Sequence, residues 1–171
     1  MTYVMLILRL LHIVSGAFWV GTVITAVLFI EPTAKALDRE GERFFAHLVI
    51  RRRLAVVLAI AATVTVVAGA LLYWIDSGGL RLEWIMTGTG IAFTAGGLSA
   101  LIALAIAAII LKPEVDRLAA IADRDVGTAE DSARPPIEDE ASERRLRRWS
   151  LIQVSLLVFT VSAMAVARYL P

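Results

Sequence analysis

His12 is the side chain of this sequence best suited to chemistry, because it lies within a long apolar stretch. Between residues 4 and 30, Arg9 is the other ionisable group. An imidazole can bind a metal or carry a proton, and an ionisable group at membrane depth is costly enough to indicate function. The sequence therefore predicts a ligand or proton-handling role for His12. The structural alternative is a hydrogen bond to a serine or threonine of another helix.

Met5, His12 and Trp19 are spaced by seven residues, which places them on one face of a helix. Ser15 and Gly16 lie between them on the same side. A glycine there would let something flat or bulky approach the backbone. Trp19 is then either a packing residue or a wall of the site.

The methionines cluster with this face in the predicted topology, near the same end of the protein. They are Met1, Met5, Met86 and Met164. Imidazole and thioether ligands together suit Cu(I), or a haem with His/Met axial ligands. Methionine is also a common gap-filler in apolar helices, so a packing role stays open for each of them.

Arg9 and Arg168 are predicted near the same end. They could hold haem propionates by charge-assisted hydrogen bonds. The alternative is that they extend toward the headgroups, or pair with Asp76 and Glu83.

His47 is excluded as a second haem ligand within one chain. Folding the first two helices about a turn near Leu37 places His47 level with residue 28, roughly 24 Å from His12 at ~1.5 Å per residue. A bis-histidine site would need His12 from two subunits. His47 is expected at the interface, beside the arginines at 51–53.

Four predicted transmembrane helices must position these side chains. The chain has 171 residues, of which 58% are hydrophobic, and its apolar runs cover about 4–30, 54–75, 85–111 and 150–170. Each run is long enough to cross a ~30 Å hydrocarbon core. The expected fold is an all-α, four-helix membrane bundle, multi-pass in a bacterial inner (plasma) membrane. Small residues at 87–97 predict close helix packing.

The basic residues predict the orientation. Six of the 17 lysines and arginines lie in the connector 31–53 and eight in the connector 112–149. The positive-inside rule places both connectors in the cytoplasm and both termini outside. Within the second connector, residues 114–125 are expected to extend the third helix or to lie on the membrane surface, and residues 127–143 to form a mobile linker. The arginines before Trp149 are expected to anchor lipid headgroups.

Several chemistries are excluded. The absence of cysteine rules out disulfides and thiolate metal sites. No glycine-rich phosphate loop, H-E-x-x-H motif, nucleophile elbow or membrane-buried carboxylate pair is present, which argues against an independent enzyme. A net charge of +1 gives no indication of nucleic-acid binding.

The run His12-x-x-Ser15-Gly16-x-x-Trp19-x-Gly21 resembles the first helix of the CopD-type copper-resistance membrane proteins and of the HemJ-type protoporphyrinogen oxidases. Weaker similarity continues at 42–43, at Gly69 and at 144–149, and the whole chain resembles small bacterial membrane proteins related to both groups.

The HemJ-type resemblance implies a haem b ligated by His12. The lysine that matters early in the third helix of that group has no counterpart at 85–87. This difference argues against protoporphyrinogen oxidation. The sequence thus favours haem b binding for electron transfer or haem handling, in a homo-oligomer or as a small subunit of a larger complex. The alternatives are a copper-handling protein and a cofactor-free accessory or assembly subunit.

Overall fold

The computed structural model describes residues 2–125 and 140–171. Within these residues the chain is helical and contains no strand. Four helical segments are long and apolar enough to cross a membrane: Tyr3–Ala36, Leu54–Asp76, Gly88–Arg117 and Arg144–Ala167. The predictions of an all-α chain and of four helices long and apolar enough to span a membrane are confirmed for the described residues.

Eight α-helices follow one another along the described chain, and three π-helical turns connect some of them. The α-helices are α1 (Thr2–Thr25), α2 (Glu31–Ala36), α3 (Asp38–Ala46), α4 (Leu54–Asp76), α5 (Leu82–Ile85), α6 (Gly88–Ile106), α7 (Lys112–Asp125) and α8 (Glu140–Ala167). The π turns are Ala26–Ile30, His47–Arg51 and Ala107–Leu111.

The prolines that lie just past the first and third predicted apolar runs, which end at about 30 and 111, do not end their helices. Pro32 and Pro113 each follow a π turn, in which the N–H of the residue before the proline bonds a carbonyl five residues back. Proline lacks an N–H, and its ring clashes with the carbonyl four residues earlier in a regular helix. The wider π turn changes the hydrogen-bond register just ahead of that clash, so helix continues through α2 and α7.

The first reversal of the chain occurs at Leu37 and Asp38, at the turn predicted near Leu37. Asp38 has a positive φ of 46°. Gly41 then lies against the preceding helix so closely that an added Cβ would be 1.9 Å from the carbonyl oxygen of Ala34. A side chain at position 41 is therefore incompatible with this corner.

The long helices form two antiparallel pairs, α1 with α4 and α6 with α8. In the second pair, Ser99 donates to the Leu156 carbonyl at 2.9 Å, and Thr160 donates to the Gly96 carbonyl at 3.1 Å. An added Cβ on Gly96 would be 3.3 Å from the Thr160 carbonyl oxygen. The close packing predicted from the small residues at 87–97 is thus present, as backbone contact between α6 and α8.

The two helix pairs are joined by a short connection from α4 to α6, at the end of the bundle that holds both termini. A turn follows α4 there, with Gly78 and Gly79 at positive φ. The third long helix begins at Gly88 rather than near Ile85, since the backbone breaks after α5. Thr87 caps it, and its hydroxyl accepts from the Gly90 N–H at 3.0 Å.

At the other end, which we call the connector end, α7 continues the third long helix. This is one of the two arrangements predicted for residues 114–125. The predicted mobile linker, 127–143, lies outside the described residues as far as position 139, and α8 begins at Glu140.

Candidate ligand site around His12

The four long helices meet in a small buried core. Trp19 of α1, Ala62 of α4, Ala103 of α6 and Leu157 of α8 belong to it, and each is at most 3% exposed. The depth of each predicted site residue is given below as its distance along the helix from this core.

One layer above the core, toward the termini, lie His12, Gly69, Gly96 and Met164. Each is seven residues from the core residue of its own helix. Seven residues are close to two helical turns, or about 10 Å, so these four residues share the inward faces of their helices at one level. We call them the His12 layer. Two of its members are glycines, so His12 and Met164 supply its side chains.

The His12 ring is held by α4. Its Nδ1 lies 2.8 Å from the backbone carbonyl oxygen of Thr65. A carbonyl can only accept, so Nδ1 carries the proton and Nε2 of the neutral ring is left with a lone pair. The ring also lies on the backbone of Gly69, where an added Cβ would be 2.8 Å from Cε1 and 2.9 Å from Nδ1.

A second set of polar contacts joins α1 and α4 beside the ring. The hydroxyls of Ser15 and Thr65 are 2.8 Å apart. Each hydroxyl has one proton, so one of the two donates across this pair, and the other donates to its own helix, either Ser15 to the Leu11 carbonyl or Thr65 to the Ala61 carbonyl. These bonds hold the two helices in the register that places His12 over Gly69.

The space beside Gly16 is occupied. An added Cβ there would be 3.2 Å from Cγ2 of Thr65. The close approach predicted for this glycine is therefore made by α4.

The other predicted ligands lie at different places. Met164 is half-buried, and its Cγ would be 3.2 Å from a Cβ added to Gly96. Met5 is half-buried two turns further along α1, and Met86 is 65% exposed at the break before α6. The structure thus places Met164 in the His12 layer and Met86 on the surface. Trp19 is 3% exposed and forms the floor below the layer.

The two predicted anion-binding arginines are exposed near the termini. Arg168 donates to the hydroxyl of Tyr169 at 2.8 Å, and its Cζ lies 4.8 Å from that ring's centroid. Neither Arg9 nor Arg168 forms an ion pair with Asp76 or Glu83 within the described chain. His47 is exposed in the π turn at the connector end.

Sequence reasoning missed the role of Thr65 and Gly69. Their spacing of four residues places both on one face of α4, which was the available signal. It also missed the contacts of Tyr73. The Tyr73 hydroxyl is 2.6 Å from that of Thr94, and its ring meets Trp84 edge-on at 5.3 Å between centroids. This contact joins the two helix pairs near the termini.

Among residues 2–125 and 140–171, no group of three or more His, Cys, Asp or Glu side chains could hold a metal ion. No family model, curated protein or solved structure matches the chain.

Proposed function

We propose that this protein binds haem b in the membrane, with Nε2 of His12 as an axial ligand, and serves electron transfer or haem handling. The observation that carries the proposal is the bond from Nδ1–H to the Thr65 carbonyl. Metal-ligating histidines almost always donate their second ring nitrogen in this way, which fixes the tautomer and orients the ring. Gly69 and Thr65 hold His12 in that arrangement.

Two groups are candidates for a second ligand to such a haem. Met164 occupies the same layer, and its thioether would raise the reduction potential of a bound haem. The other candidate is His12 of a second copy of the chain. The haem would supply one-electron transfer.

The charged groups near the layer fit the propionates of such a group. Arg9 is three residues from His12 toward the termini, which is about 4.5 Å along the helix axis. Arg168 is four residues from Met164 in the same direction. Both side chains are exposed and carry donors suited to carboxylates. The positive-inside rule supports an orientation with this end outside and both connectors in the cytoplasm.

The test is a visible spectrum of purified protein from haem-replete cells, oxidised and reduced with dithionite. We expect a b-type α-band in the wild type, its loss in His12→Ala and its retention in His47→Ala. The second variant is the matched control, because His47 is the other histidine and is exposed in the connector. Equal haem content in the His12 and His47 variants, with both folded, would refute the proposal.

A copper-handling function is the second candidate, favoured by the imidazole and the thioether of Met164 in one layer. Metal analysis of the same preparations distinguishes it, since copper that depends on both His12 and Met164 would be bound without a haem spectrum. Co-purification with a larger membrane complex, free of haem and copper, would instead support an accessory or assembly subunit.

A further inference from the structure

The arginines at the start of α8 face in two directions. Arg145, with Leu146 and Trp149, lines a small depression that also contains Ile110 and Glu114 from the third membrane helix and α7. The other three line a separate open groove on α8, and they are Arg144, Arg147 and Arg148. The run of arginines is therefore divided between one side chain directed at the protein and three directed away from it.

The groove is a shallow, open region along one side of α8, and it combines a basic end with an apolar floor. Below the three arginines it is lined by Leu151, Ile152, Ser155 and Leu156. These residues recur at helical spacing and so form one stripe along α8. No acidic side chain of the described chain lines the groove, so Arg147 and Arg148 at its basic end complement an anion.

The dimensions of the groove match one leaflet of a bilayer. From Arg144 to Leu156 the helix rises about 18 Å at ~1.5 Å per residue. Half of a ~30 Å hydrocarbon core, with the phosphate level above it, covers about the same depth. On the protein-facing side of α8, Trp149 lies at the depth where the arginines give way to apolar residues, which is where aromatic residues mark the headgroup level.

We infer that this groove is a binding site for an anionic phospholipid. The guanidinium groups of Arg147 and Arg148 bind the phosphate, for which the planar, two-pronged arginine donor is well suited. One acyl chain lies along Leu151, Ile152 and Leu156. The site is at the opposite end of the bundle from the His12 layer and does not depend on the proposed haem.

The charge requirement can be tested by lipid binding to detergent-solubilised protein, followed by native mass spectrometry. The probes are long-chain phosphatidylglycerol and phosphatidylcholine. An interfacial arginine contributes about 1 kcal/mol to anionic lipid binding, so the pair Arg147→Gln/Arg148→Gln is expected to weaken phosphatidylglycerol binding about 30-fold. The charge-matched control is Arg39→Gln/Arg52→Gln, two exposed arginines at the same end of the bundle, which should change binding little.

The apolar requirement has its own pair of variants. Ser155 and Ser162 are both exposed on α8, and each donates to a carbonyl four residues earlier at 2.9 Å. Only Ser155 lines the groove. Ser155→Phe is expected to fill the groove and weaken binding of the long-chain lipid, whereas Ser162→Phe should leave it unchanged.

Three outcomes would overturn the inference. The first is equal binding of phosphatidylglycerol and phosphatidylcholine. The second is equal loss in the two double-arginine variants, which would indicate general surface charge. The third is equal binding of soluble glycerol phosphate, which would show that the groove takes a free phosphate and has no site for a lipid chain.

Discussion

Gly69→Ala should disturb the His12 site more than it disturbs the fold. An added Cβ would be 2.8 Å from Cε1 of His12, whereas ordinary van der Waals contact begins near 3.4 Å. The ring must therefore withdraw by about 0.6 Å. If the movement is directed away from α4, the Nδ1 distance to the Thr65 carbonyl grows from 2.8 Å to about 3.4 Å, beyond the usual range for such a bond.

The effect on stability should be modest, because two contributions oppose each other. Overpacking costs about 1–3 kcal/mol, and replacing glycine by alanine within a helix returns about 1 kcal/mol. The ring is also a side chain that can rotate away. Loss of an oriented outer hydrogen bond, by contrast, typically weakens metal binding about 10- to 100-fold. The expected variant is folded, at most ~2 kcal/mol less stable, and clearly impaired in haem binding.

Two measurements test the prediction for Gly69→Ala. Haem titration reports the proposed ligand, and ¹⁵N NMR of the imidazole reports the tautomer whether or not haem binds. Gly97→Ala is the control, since nothing lies within 4 Å of a Cβ at that position of α6. If Gly69→Ala keeps both the haem affinity and the Nδ1–H tautomer of the wild type, the assignment of Gly69 and Thr65 as positioning residues is wrong.

Three further predictions concern the fold and its orientation. Gly41→Ala should lower the free energy of unfolding by about 3 kcal/mol or more, because its Cβ would collide with backbone, as measured by denaturation in mixed micelles. Tyr73→Phe should cost about 0.6 kcal/mol by losing the bond to Thr94 between the helix pairs, a typical value for such bonds in membranes. The proposed orientation places the connectors in the cytoplasm and both termini outside. In this cysteine-free chain, Phe44→Cys in the first connector should therefore be labelled by an impermeant maleimide only after cell disruption, whereas Tyr169→Cys should be labelled in intact cells.

Each of these three predictions has a result that contradicts it. Gly21→Ala, in open space on α1, is the control for Gly41, and equal stability of the two variants would contradict the tight corner. A Tyr73→Phe/Thr94→Val double variant should be little worse than the single variant, and additive losses would argue against direct pairing. Labelling of the Phe44 position in intact cells would reverse the proposed orientation.

The sequence alone determined the elements of this protein and the faces of single helices. Apolar length predicted four membrane helices, the segregated charges marked the connectors, and the turn near Leu37 was correctly placed. The seven-residue spacing of Met5, His12 and Trp19 also predicted a common face. All of these are local properties, since they depend on chain length, helical period and turn-forming residues.

The tertiary structure decided which side chains meet. In a membrane helix the lipid-facing and inward faces are equally apolar, so periodicity does not identify the partner of a face. The pairing of His12 with Thr65 and Gly69 depends on the register of α1 against α4, which is set by contacts more than fifty residues apart. The continuation of helix past Pro32 depends on the backbone, through the π turn that precedes the proline. The division of the α8 arginines depends on the neighbouring helices, because a residue's type does not specify its partner.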